Sequence, residues 1–293
     1  MKKFYLILIT LFLFFGFINI SVAQRVKFFE SFDSVNVESK GWKFINNDKG
    51  IQEFPLFYQN LVVTDLGEIL PLDGNYMLKY NSLNANESGI IDEWIILPKM
   101  TNVEKYDTLS FYCGAVDRNY KDSLRVLISV SNEDLSSFVE IDKFKIDGPV
   151  GNWNKKSYSL SEYAGKQIYI ALNYYIFNGG AFGPSSDFIW IDRFSITNPY
   201  GEGIPVKDFS LSQNFPNPFN PRTDITFSIP NNTKVTLKVY DISGKEVMTL
   251  VNGEYSPGKY LVTFNGTNLA SGVYLYEIIA GNFKQTNKML LVK

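Results

Sequence analysis

Histidine is missing from all 293 residues, and that absence sorts the chemistry before any motif does. A Ser-His-Asp or Cys-His nucleophile would have no base, and a His-ligated zinc or iron centre would have no ligands. The single cysteine, Cys113, lies in "TLSFYCGAV", where Leu109, Phe111, Cys113 and Ala115 alternate onto one face of a strand. It reads as a small buried hydrophobe rather than a nucleophile. Hydrolysis would then need paired carboxylates set about 5–5.5 Å or about 6.5–9.5 Å apart. Glu140 and Asp142 in "FVEIDKF" are spaced to share a strand face, whereas the adjacent Asp92 and Glu93 point apart. Such pairs usually decorate the solvated face of an edge strand. No residue is assigned a catalytic role, and the chain reads as a non-enzyme, with a secreted hydrolase or an accessory module of one as the alternative.

Carboxylates can also hold calcium, which takes about six to eight oxygen ligands. Glu30 and Asp33 near the first strand, Asp48 in the following loop and Asp192 in the last strand of the long N-terminal region form the candidate set. Calcium is the one cofactor they suggest. Asp192 is the sharpest of the four, because alternation puts it on one face with Phe188, Trp190, Phe194 and Ile196. It needs a metal or a partner there, or else it accepts backbone N–H groups at a sheet edge; the second reading is favoured. For a ligand, the flat rings matter. Tyr174, Tyr175, Phe177 and Phe182 lie in or beside the loop "NYYIFNGGAFGPSSDF", which Gly179, Gly180 and Gly183 loosen. A sugar face is the surface such rings suit. Trp42, Trp94, Trp153 and Trp190 sit in or beside apolar strands and read as core.

The elements that must carry these residues are strands. Tyr (18) and Phe (24) are abundant, and Val, Ile and Thr recur in short runs. Leu124, Val126, Ile128 and Val130 alternate onto one face. So do Ile168, Ile170, Leu172, Tyr174 and Ile176, with Tyr169, Ala171, Asn173 and Tyr175 opposite. No window carries a convincing helical period; "LSEYAG" has room for one turn. Lys and Arg total 28 against 30 Asp and Glu, so there is no basic footprint for nucleic acid. The fold class is all-β: an N-terminal jelly-roll sandwich over 24–198, a linker over 199–207, and a small immunoglobulin-like sandwich over 208–293.

The first 23 residues have a different character. Lys2 and Lys3 precede an apolar run to about Ile20 and the exit Ser21-Val22-Ala23, the layout of a secretory signal peptide cut between Ala23 and Gln24. The mature chain is expected to carry no transmembrane helix. At the other end, "NFPNPFNPRTDITFSIP" punctuates the chain with prolines, which remove backbone donors and fix φ. The stretch is expected to form a stiff, non-pairing turn ahead of the first strand of the C-terminal sandwich.

Those prolines open a longer ordered series. "LSQNFPNPFNPRTDITFSIP", the Val-Tyr-Asp strand ending at Gly244-Lys245, Gly258 to Tyr260, "SGVY" at Ser271–Tyr274 and the closing "KMLLVK" resemble the type A C-terminal sorting domain of type IX secretion. The resemblance carries Pro216, Asn217, Pro218, Phe219, Gly244, Gly272, Tyr274, Lys288 and Lys293 as sorting-signal residues. It implies that an outer-membrane translocon reads the folded domain as an address. It also implies a sorting protease that cuts in the linker, leaving the cargo released or surface-anchored. The N-terminal region, through "FFESFDS", "GWKFINND", "DEWIILP", "GKQIYIALNYY" and "IWIDRFSI", resembles the choice-of-anchor J family, close to cleaved adhesin domains. That resemblance implies an adhesin-like module whose partners are glycans or host and cell-surface ligands.

Overall fold

The computed structural model describes residues 23–293 apart from 34–35, 51–55, 59–60, 64–66, 73–74, 82–84, 117–121, 147, 149–151, 181–187 and 202. The apolar N-terminal run and Phe182 therefore lie outside the described residues. The fold is all-β. Its strands are β1 (Gln24–Glu30), β2 (Lys43–Asn46), β3 (Leu56–Tyr58), β4 (Leu61–Val63), β5 (Gly67–Ile69), β6 (Met77–Asn81) and β7 (Ile91–Ile96). There follow β8 (Thr108–Ala115), β9 (Asp122–Ser129), β10 (Val139–Ile146), β11 (Asn154–Ser159), β12 (Tyr169–Ile176) and β13 (Phe188–Asn198). The C-terminal part adds β14 (Ser210–Leu211), β15 (Arg222–Ile229), β16 (Thr233–Asp241), β17 (Glu246–Tyr255), β18 (Gly258–Asn265), β19 (Gly272–Ala280) and β20 (Phe283–Leu291). Among the described residues the only helical pieces are 3-10 turns, one of them at Ser161–Tyr163 inside "LSEYAG". No helix among them is long and apolar enough to cross a membrane.

Two antiparallel sheets enclose the N-terminal core. One runs β10-β9-β12-β7-β2; the other contains β11-β8-β13, with β6 and β1 sharing the far side of β13. The period-two runs do what their spacing dictates. Leu124, Val126 and Ile128, then Ile168 to Ile176 at every second residue, then Leu109, Phe111, Cys113 and Ala115 all point into one cluster. Val130 does not join them, because β9 stops at Ser129 and the side chain beyond it turns to solvent, 54% exposed.

The last strand of this sandwich departs from simple alternation. Arg193 takes a left-handed φ of 57°, and the pairing of β13 with β8 shifts between Asp192 and Ser195. One extra residue inverts the faces. Ile189 and Ile191 enter the core before the bulge and Phe194 and Ile196 after it. Trp190 instead packs on the reverse side with Ile69, Met77 and Val116. The expected common face of Phe188, Trp190, Phe194 and Ile196 is therefore split in two.

The C-terminal sandwich packs β14-β15-β18 against β17-β16-β19-β20. Val235, Leu237 and Val239 face Tyr276, Ile278, Phe227, Val262 and Phe264 in a cluster that shares no residue with the N-terminal one. The proline stretch is not the non-pairing turn expected. Phe215 exchanges backbone hydrogen bonds with Asp224 (2.8 and 2.6 Å), and Phe219 bridges the last strand through Leu290 O (2.9 Å) and Val292 N (3.0 Å). The prolines leave Phe215 and Phe219 as the residues whose N–H groups pair. The segment thus ties the first long strand to the final one and buries Phe219 edge-to-face on Phe264.

The two sandwiches meet along a sheet edge. At its start β1 pairs with β18, Gln24 opposite Leu261 and Arg25 opposite Tyr260, and the rest of β1 pairs with β13. The segment 199–207 runs back over this seam. Asn198 Oδ1 accepts from Tyr200 N and Gly201 N, Arg25 Nη1 donates to Gly201 O at 3.0 Å, and Ile204 N donates to Val26 O at 2.8 Å. Pro205, Lys207 and Asp208 remain exposed.

Candidate ligand-binding face

The outer face of the five-stranded sheet is where polar and aromatic side chains collect. Core residues on β9, β12 and β7 point inward, so Ser123, Arg125 and Leu127, then Ala171, Asn173 and Tyr175, then Asp92, Trp94 and Ile96 point out. Pairing sets them in rows: Arg125 beside Asn173 beside Trp94, and Tyr175 beside Asp92. Lys143 of β10 lies opposite Arg125 and Ile45 of β2 opposite Trp94, extending the first row across all five strands. The Leu127 end of this face is closed by Leu135 and Phe138, which pack on Trp94 and Ile96. Among the described residues no such apolar pair closes the Tyr175 end, called the open end below.

At that open end the side chains are held by one another. The Arg125 guanidinium carbon lies 3.9 Å from the centre of the Tyr175 ring, while its Nε is 3.5 Å from Glu140 Oε2. Asp92 Oδ1 accepts from Trp94 Nε1 (2.8 Å) and Asn173 Nδ2 (2.7 Å), and its Oδ2 accepts from Asn47 Nδ2 (2.6 Å). Besides Arg125 Nε, which has the Glu140 charge at 3.5 Å but no hydrogen bond among the described residues, two oxygens are left over. Asn173 Oδ1 and Ser123 Oγ are buried and have no hydrogen-bond partner among the described residues. A buried acceptor without a donor costs roughly 1–3 kcal/mol, so both would gain from a hydroxyl donor; Asn173 is itself fully buried, and a ligand reaches it only where a covering side chain moves aside.

The rings anticipated as ligand contacts separate by strand parity. Tyr175 is on the outer face and Phe177, 64% exposed, stands at the end of β12. Tyr174 points the opposite way into the core, where its hydroxyl donates to Asp122 Oδ1 at 2.6 Å. Arg125 and Asn173 are not among the residues the sequence singled out for a ligand, and Asp92 is weighed there only as half of a catalytic pair with Glu93. Their signal was the polar parity of "KQIYIALNYYIF", in which Asn173 and Tyr175 alternate with the core residues.

The four carboxylates considered for calcium do not come together as one cluster. Glu30 binds Lys40 Nζ (2.9 Å) and Phe32 N (2.9 Å); Asp33 accepts from Ser31 Oγ and Asn75 N. Asp48 accepts from Gly50 N and Asp92 N, each at 2.6 Å, and Asp192 from Leu72 N and Arg193 N. No group of three or more Cys, Asp or Glu residues suited to a metal occurs among the described residues. The Glu140 and Asp142 pair is parted by a bulge. Glu140 lies opposite outward Leu127, Asp142 opposite inward Val126, and Asp142 accepts from Tyr158 OH at 2.8 Å. Burial pushes the Cys113 thiol up to about 12, which leaves it an inert core group.

The residues expected to form the sorting signal cluster at one end of the C-terminal sandwich and along its final strand. Pro216 O accepts from Asn214 Nδ2 and Thr223 Oγ1, Asn217 Oδ1 accepts from Leu290 N, and Asn217 and Pro218 are exposed. Gly244 turns β16 into β17 at φ 82°, and Gly272, at φ 154°, opens β19. Tyr274 OH donates to Ala270 O; Lys288 O accepts from Gln213 Nε2, and Lys293 Nζ donates to Thr267 O.

Between the sandwiches lies a buried polar contact. Asp224 of β15 accepts from Tyr112 OH (2.8 Å) and Lys155 Nζ (2.5 Å) of the N-terminal sandwich and from Thr263 Oγ1 (2.6 Å) of its own. Burial alone would push its carboxyl up. The Lys155 and Arg193 charges and the hydrogen bonds from Lys155 and Thr263 outweigh burial and hold it below its ordinary value. Arg193 Nη2 donates to Thr226 Oγ1 at 3.0 Å, its guanidinium lying near the Phe29 and Phe215 rings.

Residues 213–293 match the family model described as the Secretion system C-terminal sorting domain. The C-terminal sandwich is thus the part that sends the protein out: the chain is exported by type IX secretion, to the cell surface or beyond, and engages that machinery. No curated protein matches the chain in sequence. Among solved structures, it is similar to the K1 cleaved adhesin domain of Lys-gingipain from Porphyromonas gingivalis W83. The identity is 23% and the TM-score 0.41, over 58% of this chain and 96% of that one. It is also similar to the CBM22-2 xylan-binding domain of Paenibacillus barcinonensis Xyn10C, at 14% identity and TM-score 0.33, over 58% and 98%. The glycoside hydrolase domain of Endo-D from Streptococcus pneumoniae R6 aligns at 13% identity and TM-score 0.39, over 85% of this chain. This chain spans only 37% of that hydrolase domain's length. Likenesses this distant carry neither ligand nor activity across.

Proposed function

We propose that this is an exported, non-catalytic binding protein that holds a glycan on the open end of its five-stranded sheet. The N-terminal sandwich, 24–198, is the binding module of a choice-of-anchor J type. The C-terminal sandwich, 208–293, is its address, joined through 199–207, and residues 1–23 are a signal peptide removed after Ala23. The observation that carries the reading is the pair of buried, unpartnered atoms, Asn173 Oδ1 and Ser123 Oγ, on the same outer face as the Tyr175 ring. Sugar hydroxyls donate to such acceptors, and the apolar face of a pyranose stacks on a flat ring. Arg125 already occupies one side of that ring, so a ligand packs beside it or displaces it.

A glycan array with the whole chain, followed by chromatography of each bound oligosaccharide, tests the reading. Reproducible binding with the oligosaccharide recovered intact is the expected result. Product release would install the hydrolase reading, and an array with no positive spot would end the glycan proposal.

A further inference from the structure

A second constellation lies on the face of the N-terminal sandwich that the sorting domain covers. Lys155, Tyr112 and Arg193 come from β11, β8 and β13, which are neighbours in one sheet; Lys155 and Asp192 flank Tyr112 in direct register. Lys155 Nζ and Tyr112 OH both end on one oxygen of Asp224, and Arg193 reaches Thr226 two residues along the same strand. The neighbouring Asp192 carboxylate accepts from Leu72 N and Arg193 N. Beside the Asp224 carboxylate is a cavity of about 450 Å³, walled on the N-terminal side by Tyr112, Trp153 and Lys155 and on the other by Pro216, Arg222 and Asp224.

These features describe a carboxylate receptor whose present occupant belongs to the other domain. We infer that Tyr112, Lys155 and Arg193 form a binding site for a uronate-bearing glycan, and that the sorting domain plugs it with Asp224 until that domain is removed. The inference rests on the proposed reading of residues 208–293 as a detachable address. A ligand carboxylate takes the place of Asp224 between Lys155 Nζ and Tyr112 OH. The sugar ring lies against Trp153 and Tyr112, the wall of that cavity that stays with the N-terminal sandwich, which is why a sugar acid fits better than an acidic peptide. While the chain is continuous, the tether keeps Asp224 at an effective concentration on the order of millimolar, so a free uronate competes poorly. Once the chain is cut, that advantage is gone.

The test uses the full chain with a protease recognition sequence placed at 205–207, where the side chains are at least partly exposed. Digalacturonate binding is measured by calorimetry before and after cutting, with near-ultraviolet circular dichroism to follow tertiary packing. The cut chain should bind about tenfold more tightly or better. Lys155→Ala should abolish that gain, and Lys155→Arg should restore most of it. Equal binding before and after cutting, or a gain indifferent to Lys155→Ala, overturns the inference; so does a diglutamate peptide that binds better than digalacturonate at the same site. Should cutting disturb the packing, the uncut Asp224→Ala chain carries the test. It must bind digalacturonate about tenfold better than its parent, and no change overturns the inference. Tyr175→Ala separates this site from the open face: it should leave digalacturonate binding intact whichever way the array experiment falls.

Discussion

The N-terminal sandwich has two polar, aromatic outer faces, one open and one covered. On the open face Arg125 lies over Tyr175 and Asp92 gathers Trp94, Asn173 and Asn47, so Arg125 and Asp92 are served from within the same sandwich. On the covered face Lys155, Tyr112 and Arg193 are served by Asp224 and Thr226 of the other sandwich. The first face is complete in itself and needs only hydroxyl donors; the second is completed by the sorting domain. A surface that takes its counter-charge from a second domain is one whose character would change if that domain were removed.

The largest effect should come from breaking the covered side. Asp224→Ala leaves Lys155, Tyr112 and Thr263 without their common acceptor. Since Lys155 keeps about a third of its side chain exposed, the cost should be about 2–3 kcal/mol, read as a lowered melting temperature of the whole chain. The equivalent change on the open face, Asp92→Ala, frees only a part-buried cluster and should cost about 1 kcal/mol. An equal loss from the two would contradict the contrast.

Acid should act on the same side. The Asp224 carboxyl is held below its ordinary 3.8, so its contribution is complete at neutral pH. It fades only as pH drops below about 4, through the lower folded value. Contact between the two sandwiches should therefore persist at pH 5 and weaken below 4, as small-angle scattering would show by an increase in overall size. In the Asp224→Asn chain that acid step should shrink. Smallest of all is calcium. Because Glu30, Asp33, Asp48 and Asp192 already accept from protein donors, millimolar calcium should move the melting temperature by less than about 1 °C.

What the amino-acid order discloses is the alternation, and what it conceals is whatever interrupts it. Ile168 to Ile176 and Leu109 to Ala115 announce their core face by parity alone, and the structure follows. In "FIWIDRFSI" the apolar residues Ile189, Ile191, Phe194 and Ile196 are spaced two, three and two apart. The gap of three marks the bulge at Arg193, but only for a reader who lets Trp190 leave the core. The open face was half legible, since Tyr175 stood out as a ring while Asn173 and Arg125 looked like ordinary polar positions. Tyr112, Lys155 and Asp224 were illegible, because a contact spanning 112 residues joins two sandwiches and leaves no local pattern. The proline stretch misled for a simpler reason: prolines withhold their own donors and say nothing of Phe215 just before them or Phe219 among them, both of which pair.

Calorimetric titration of the strongest array oligosaccharide into the uncut parent and into Tyr175→Ala puts the open face to the most direct trial. Affinity should fall about tenfold or more while the melting temperature stays within about 1 °C of the parent. Undiminished binding by the folded variant would mean that the open end of this sheet is not where the protein meets its glycan.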